Sequence, residues 1–335
     1  MASPAGAPTP VVATPVLPTL RVLHVASEMH PLIKTGGLAD VLGALPEALA
    51  RRGLDVRIAI PGYRKAIAVA NKLGLTWAPT PMTIEVGGVD HQVGVGTVRI
   101  GSVTVHLLAC NECFDRDGIY GPTPNHDYED NPRRFILFSK AALALPGMLG
   151  WVPHIIHCHD WQTGLIPPLL ERGFSQVLPA TRTVFSIHNI AYQGAFWHFD
   201  MKLTGLDWTL FNPLQLEHYS KLNSLKAGIV FADRVSTVSR RYAEEIQTAE
   251  FAFGLEAVIR SHSYKLSGIT NGIDAETWNP ATDKQLAANY SQHDLAGKAA
   301  CKAALRQEAG LAEGPAVIAT VVSRLVEQKG IDLVI

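Results

Sequence analysis

The stretch Lys34–Pro46, K-T-G-G-L-A-D-V-L-G-A-L-P, has the character of a turn between a strand and a helix. The run before it, Arg21–Ala26, is mostly apolar, as in a buried first strand of an α/β sheet. After the glycines, apolar residues recur at helical spacing, at positions 38, 41, 42, 45 and 49. Gly36 and Gly37 are therefore predicted to lie at a helix N-terminus, where free backbone N–H groups and the helix dipole favour an anion.

Lys34 is the candidate cation of this turn. The two standard phosphate fingerprints, G-x-G-x-x-G and G-x-x-x-x-G-K-[ST], are absent here, and the lysine precedes the glycines. From that position its ammonium can reach a phosphate bound over a backbone that carries no side chains. The alternative is an ordinary glycine turn with a solvated lysine.

The composition limits the class of protein. A chain of 335 residues suggests two domains, and 47% apolar residues are enough for a substantial core. The net charge of −1 argues against a nucleic-acid or membrane-surface protein, and no apolar run is long enough to span a bilayer. Four cysteines indicate no disulfide framework, which is expected in a reducing cytoplasm. Residues 1–20 are interpreted as a disordered Pro/Ala-rich tail.

Patterning predicts further elements and a division of the chain. Residues 21–265 are predicted to form a first α/β domain, and residues 266–335 a linker with the beginning of a second one. The predicted strands are 55–61, 155–161, 181–187, 234–238 and 316–322, with antiparallel hairpins within 82–109. The predicted helices are 131–149, 165–173, 224–231, 240–247 and 298–309.

Polar residues follow three of the predicted parallel strands. Glu28 comes after the first strand, Asp160 ends the strand 155–161, and His188 with Asn189 follows the strand 181–187. Ligands of open parallel sheets bind outside the carboxyl ends of the strands. Any one of these residues alone is more often structural, but together they predict a binding rim.

Three motifs suggest a metal, and each has a simpler explanation. Cys110-x-x-Cys113 has ligand spacing, but no second pair or nearby histidine pair completes it. Asp115-x-Asp117 lies in a loop rich in glycine and proline, where chance is the favoured explanation. His157-x-His159 lies on one face of a strand, yet no third ligand is evident nearby. We therefore predict no metal site.

Arg324 and Lys329 form a second cationic pair. They follow the apolar run 316–322, so they are expected just beyond a strand. Such a pair is suited to binding phosphate oxygens.

Six motifs in order give the chain a family resemblance. It resembles the retaining glycosyltransferase family that contains bacterial glycogen synthases and plant starch synthases, in register from about residue 21 to the end. The motifs are Lys34–Pro46, His157–Gly164, His188–Gly194, Ser224–Ala232, Asn271–Pro280 and Ser323–Gly330.

The resemblance implies a fold, a reaction and roles for individual residues. The implied fold is GT-B, two Rossmann-like domains across a cleft, and the implied reaction moves glucose from ADP-glucose to the non-reducing end of an α-1,4-glucan without a cofactor. Asp160, His188, Arg324 and Lys329 are the implied catalytic residues, the last two neutralising the departing diphosphate. The implied substrate-binding residues are Glu28, Lys34, Gly36, Gly37, Asp40, Asn189, Gln193 and Asn271.

Two departures from the family pattern leave alternatives open. Gln162 stands where the family often has histidine, so an acceptor contact there is doubtful. The family's later glutamate motif and glycine-rich donor loop are not in this chain, so half an active site, inactive alone, is expected. The rival interpretation is a non-catalytic glucan-binding or regulatory fragment. A sucrose or trehalose-phosphate synthase is disfavoured by the Lys34–Asp40 run.

Overall fold

A computed structural model describes residues 19–123, 126–323, 325 and 329–334 of the chain. The chain divides into two compact units, of which the first ends at Asn271 and the second begins at Gly272. No helix among the described residues is both long enough and apolar enough to cross a membrane.

The first unit alternates strands and helices. Its strands are β1 (Arg21–Val25), β2 (Asp55–Pro61), β3 (Thr76–Trp77), β4 (Met82–Val86), β5 (Val89–Ile100), β6 (Val103–Ala109), β7 (Ile155–His159), β8 (Arg182–Ile187), β9 (Ala195–Trp197), β10 (Glu217–His218), β11 (Lys221–Asn223), β12 (Arg234–Thr237) and β13 (Leu266–Gly268). Its helices are α1 (Gly37–Arg51), α2 (Arg64–Lys72), α3 (Asn111–Phe114), α4 (Asn131–Leu149), α5 (Ile166–Leu169), α6 (Met201–Thr204), α7 (Ser224–Phe231), α8 (Arg240–Glu245) and α9 (Glu256–Ser261).

Ten of the described strands form one sheet, in the order β13-β12-β8-β7-β1-β2-β6-β5-β3, with β4 paired to β5. The pairs from β13 to β6 are parallel, and β3, β4 and β6 pair with β5 antiparallel. The chain builds outward from β1 through β2 and β6, then returns to the other side of β1 with β7, β8, β12 and β13. The strand order therefore reverses between β1 and β7, which is the switch point where ligands of such sheets bind.

The predicted hairpins are confirmed, and their turns explain two of the glycines. Gly87 and Gly88 connect β4 to β5 with φ angles of 63° and 84°, a conformation that only glycine adopts at little cost. The central strands are buried on both faces, as parallel sheets require, and Leu23, Ile58 and Phe185 are almost inaccessible to solvent. The helix predicted over 131–149 is confirmed at both ends.

The helix predicted over 165–173 is confirmed as a helical segment, which begins as α5 and continues as a π-helical turn at Leu170–Phe174. One predicted element is wrong. The strand predicted over 316–322 is absent, and Val317 and Val322 are 91% and 93% exposed. The described part of the second unit contains the helix α10 (Gly297–Glu308) and a 3₁₀ turn at Ile331–Leu333, but no strand. An apolar run without a neighbouring strand has no partner for its backbone hydrogen bonds.

Candidate functional site

The polar rim lies at the switch point of the sheet. Glu28 follows β1, Asp160 follows β7 and His188 follows β8, and these three strands are neighbours. Their parallel register brings their carboxyl ends to the same edge. The three rim residues therefore lie where the topology places a ligand crevice.

Glu28 is buried and binds the turn that precedes α1. Its carboxylate accepts hydrogen bonds from the Thr35 N–H (2.5 Å), the Thr35 hydroxyl (2.6 Å) and the Gly36 N–H (3.3 Å). Tyr120 donates a further hydrogen bond to it at 2.6 Å. The helix N-terminus does hold an anion, as its dipole favours, but the anion is the protein's own carboxylate. Glu28 thus shapes the loop, while the Gly37 N–H has no partner among the described residues.

The two glycines of this loop are not required by the protein itself. Gly36 has an extended backbone with a φ of −154°, which any residue adopts. A Cβ added to Gly36 or Gly37 would meet no atom within 4 Å, so packing does not demand glycine either. The backbone therefore borders open space, which leaves room for a ligand to approach closely.

Lys34 is held by Asp40. The Lys34 ammonium donates to both carboxylate oxygens, at 2.7 and 2.8 Å, and both side chains are about half exposed. An exposed pair of this kind contributes little to stability. Its effect is to hold the ammonium beside the first turn of α1, next to the glycine loop.

Asp160 has the most strained backbone of the rim. Its φ of 57° and ψ of −176° lie in a region that is almost reserved for glycine. Its carboxylate accepts hydrogen bonds from the N–H groups of His188 (2.7 Å) and Asn189 (3.4 Å). Burial raises the pKa of Asp160, and the nearby His188 is the main opposing influence. Asp160 therefore fixes the backbone of the loop after β8.

A chain of histidines leads from the sheet interior to His188. The Nε2 atom of His188 lies 3.0 Å from Nδ1 of His159, and Nε2 of His159 lies 3.1 Å from Nδ1 of His24. Burial lowers the pKa of His24 to about 3 and holds the pKa of His159 well below its usual range. Both rings are thus neutral near pH 7, so each carries one donor and one acceptor nitrogen. His159 uses both nitrogens, whereas Nε2 of His24 has no partner among the described residues.

His24 is a third histidine of this cluster, and the sequence analysis did not identify it. It pairs in register with His157, and nitrogens of His24, His157 and His159 lie within 4.8 Å of one another. The rings of His157 and His159 are stacked, with centroids 4.2 Å apart and an interplanar angle of 23°, and His24 is tilted by 36° against His157. A metal bound to imidazole lies in the plane of the ring, and the stacked rings of His157 and His159 do not point at a common centre. Nε2 of His157 instead lies 2.6 Å from the Ser186 hydroxyl. The arrangement favours hydrogen bonding over metal binding.

Asn189 and Gln193 are engaged in the loop itself. The Asn189 side-chain oxygen accepts a hydrogen bond from the Ala191 N–H at 3.0 Å. Gln193 donates to the Phe253 carbonyl at 3.0 Å and accepts from Asn223 at 2.7 Å. Both side chains hold the loop together in this structure.

The sequence singles out four more residues, Asn271, Lys329, Arg324 and Gln162. Asn271 is exposed at the end of the first unit, and Lys329 is exposed in the second. Arg324 lies outside the described residues. Gln162 is buried, and its side-chain oxygen has no hydrogen-bond partner among the described residues.

Asp115 and Asp117, considered above as metal ligands, both pair with a cation. The Arg64 guanidinium contacts the Asp115 carboxylate at 2.5 Å and the Asp117 carboxylate at 3.1 Å. A metal at this position would have to displace that arginine.

Tyr120 is a residue that the sequence reasoning missed. It links Glu28 to a loop 92 residues away, and its hydroxyl also hydrogen-bonds to Ser27 at 2.8 Å. Burial, followed by the nearby Glu28, raises the pKa of Tyr120, so it remains a donor. Only its place in the loop after Asp117 could have drawn attention to it.

Comparison with known proteins agrees with this architecture. Residues 21–261 match the family model described as starch synthase catalytic domain. Glycogen synthase of Anaeromyxobacter sp. (strain Fw109-5) is 47% identical over 94% of this chain, and glycogen synthase 2 of Geobacter sulfurreducens is 46% identical over the same share. The chain spans 66% and 65% of the lengths of these two relatives.

A solved structure gives the same result for the fold. It is titled as the catalytic domain of starch synthase IV from Arabidopsis thaliana bound to ADP and acarbose. The TM-score is 0.81 at 34% identity, over 94% of this chain and 65% of the other. This likeness confirms the predicted α/β fold class of GT-B type. The chain belongs to the family of the starch synthase catalytic domain.

Proposed function

We propose that this chain takes part in transferring glucose from ADP-glucose to the non-reducing end of an α-1,4-glucan, with the anomeric configuration retained. The observation that carries the proposal is the rim at the β1–β7 switch point. Lys34 and the glycine loop, which has room above it, follow β1, and Asp160 and His188 follow the neighbouring strands β7 and β8. The glycogen synthase relatives and the starch synthase bound to ADP and acarbose support the substrate classes.

The proposed roles follow from the charges that the reaction develops. Breaking a glycosyl–phosphate bond creates positive charge on the sugar and negative charge on the leaving diphosphate. Lys34 and the Gly37 N–H would face the diphosphate, and Arg324 and Lys329, as the family resemblance implies, would neutralise its charge. His188 would hydrogen-bond the transferred glucose, or present its backbone carbonyl to the anomeric carbon. Asp160 would hold that loop in place through the bonds it accepts.

The proposed division of labour follows the predicted domains. Residues 21–265 would form the acceptor side and one wall of the donor site, and residues 266–335 a linker and the start of the nucleotide-binding domain. All four cysteines are free thiols, which is compatible with the proposed cytoplasmic location. No part of the proposal requires a cofactor, a nucleic acid or a membrane.

The test is transfer of radiolabelled glucose onto glycogen from ADP-glucose and from UDP-glucose. It uses the 335-residue chain and the whole product of its reading frame. We expect transfer from ADP-glucose by the whole product, and glycogen binding with little transfer by the 335-residue chain. Glycogen binding without transfer by the whole product would favour the non-catalytic alternative. Transfer from UDP-glucose alone would overturn the donor assignment.

A further inference from the structure

The turn after β6 brings together side chains that the sequence left apart. His91 lies on β5, and Cys110 and Glu112 lie in the turn that leads into α3. Because β5 and β6 are antiparallel with Gly94 opposite Ala109, position 91 lies at the same end of the hairpin as positions 110–112. The sequence shows no second cysteine pair or nearby histidine pair beside Cys110-x-x-Cys113, but the strand pairing brings one histidine, His91, close to Cys110.

The ligand atoms of His91, Cys110 and Glu112 already lie close together. Nδ1 of His91 lies 2.5 Å from Oε1 of Glu112, and Sγ of Cys110 lies 3.7 Å from the same oxygen. Ligand atoms of all three residues lie within 4.8 Å of one another. Tetrahedral zinc with ordinary bond lengths separates its nitrogen, oxygen and sulfur ligands by about 3.4–3.6 Å. The Glu112 side chain, which is 54% exposed, would have to move away from His91 by roughly 1 Å.

The environment suits a thiolate ligand. Cys110 and His91 are buried, and the exposed Glu112 leaves one side of the cluster accessible from solvent. Metals bind the thiolate form of cysteine, so a bound cation would take the place of the Cys110 thiol proton.

The three donor types also indicate which metal class fits. Sulfur, imidazole nitrogen and carboxylate oxygen together are the donor set of zinc, whereas magnesium and calcium prefer oxygen alone. Three protein ligands leave the fourth position of a tetrahedron for water.

We propose that His91, Cys110 and Glu112 form a binding site for a thiophilic divalent cation of the zinc class. The cation would tie strand β5 to the turn after β6. That turn is already joined to the core, because the Cys113 carbonyl accepts a hydrogen bond from the buried Arg134 guanidinium at 2.7 Å. Arg134 also donates to the Ile119 carbonyl at 2.9 Å, next to the Tyr120 that holds Glu28. The inference is independent of the proposed reaction.

The test is a titration of the chelator-treated, reduced protein with Co²⁺, followed by competition with Zn²⁺. We expect one tight equivalent per chain, with thiolate-to-cobalt charge-transfer absorption that Zn²⁺ abolishes. Free Zn²⁺ at 100 times its Kd should raise the Tm by about 5–10 °C. Absence of charge-transfer absorption, together with an unchanged Tm, would overturn the proposal.

Four variants separate the ligands from their surroundings. Cys110→Ser should lose the charge-transfer absorption, and Glu112→Ala, an exposed change that leaves the fold intact, should weaken Co²⁺ binding by roughly tenfold or more. Cys113→Ser should keep the site, because Cys113 is not one of the three gathered ligands. Cys301→Ser, a change in the second unit, is the matched control and should bind as the parent does. Loss in Cys113→Ser as complete as in Cys110→Ser, or parent-like binding by Glu112→Ala, would contradict this ligand set.

Discussion

Asp160 combines backbone strain with a partly desolvated charge at one position. Its backbone conformation costs on the order of 1–3 kcal/mol, and burial disfavours its charged form. Both costs work against folding. Its hydrogen bonds to the N–H groups of His188 and Asn189 show what it does for the rim.

Asp160→Asn separates stability from activity. The amide oxygen can still accept the two backbone hydrogen bonds, and the desolvated charge is gone. The free energy of unfolding should therefore stay within about 1 kcal/mol of the parent value or rise. Under the proposal that Asp160 is catalytic, with its charge near the transferred glucose, the kcat of the whole protein should fall by roughly 10²–10³-fold. Thermal melts and steady-state kinetics check this, and a clear loss of Tm with normal turnover would contradict it.

His24 and His159 make stability depend on pH. Burial depresses the folded-state pKa of His24 from 6.5 to about 3, so between these values the unfolded chain binds the additional proton. Stability is therefore complete above pH 6.5 and is lost as the pH falls. The slope is about 1.4 kcal/mol per pH unit for each such histidine.

His24→Gln should flatten this dependence. Denaturant melts between pH 7 and 4.5 should show a slope smaller by about 1.4 kcal/mol per pH unit than in the parent. His293→Gln, a change of an exposed histidine in the second unit, is the control and should leave the slope unchanged. Equal slopes in the parent and His24→Gln would mean that His24 is not kept neutral by burial.

At the scale of elements, the segments that follow β1 and β2 contain glycine for two different reasons. Gly37 borders open space, whereas a Cβ on Gly62, after β2, would lie 2.8 Å from the Cα and Cβ atoms of Ala109. Gly62 is therefore required for packing. Gly37 is not, and only a ligand above the loop would make its missing side chain matter.

Gly37→Ala and Gly62→Ala form a matched pair. Gly37→Ala should keep or slightly raise the Tm, because alanine favours the helix, and should raise the KM for the donor. Gly62→Ala should destabilise the protein by about 1–3 kcal/mol through overpacking and leave the KM unchanged. Melting curves and donor titrations on both variants check the pair. An unchanged donor KM in Gly37→Ala would remove the loop from the site.

For the whole molecule, the order of the strands decides where the site lies. The reversal between β1 and β7 gathers the ends of three neighbouring strands, and the predicted polar residues lie at these ends. Apolar runs, and the glycine, proline and polar residues that bound them, were enough to predict these strands. A parallel strand that is buried on both faces is apolar along its length. The rim could be predicted for the same reason.

The partners of the rim residues could not be predicted in this way. Tyr120 reaches Glu28 across 92 residues, and the His24–His159 bond spans 135. Such contacts depend on how strands are ordered in space, which local patterns do not encode. The strand prediction for residues 316–322 was wrong for a related reason. An apolar pattern predicts a strand only where a neighbouring strand is available to pair with it.

The central claim is that the rim binds the phosphate side of a sugar nucleotide, and Lys34→Ala in the whole protein tests it most directly. A charged hydrogen bond contributes about 1.5–3 kcal/mol, so the KM for ADP-glucose should rise roughly 10- to 100-fold. The Tm should not change, because the Lys34–Asp40 pair is exposed. Lys72→Ala, at an exposed lysine of α2, should behave as the parent. A donor KM in Lys34→Ala equal to that of Lys72→Ala would contradict the account.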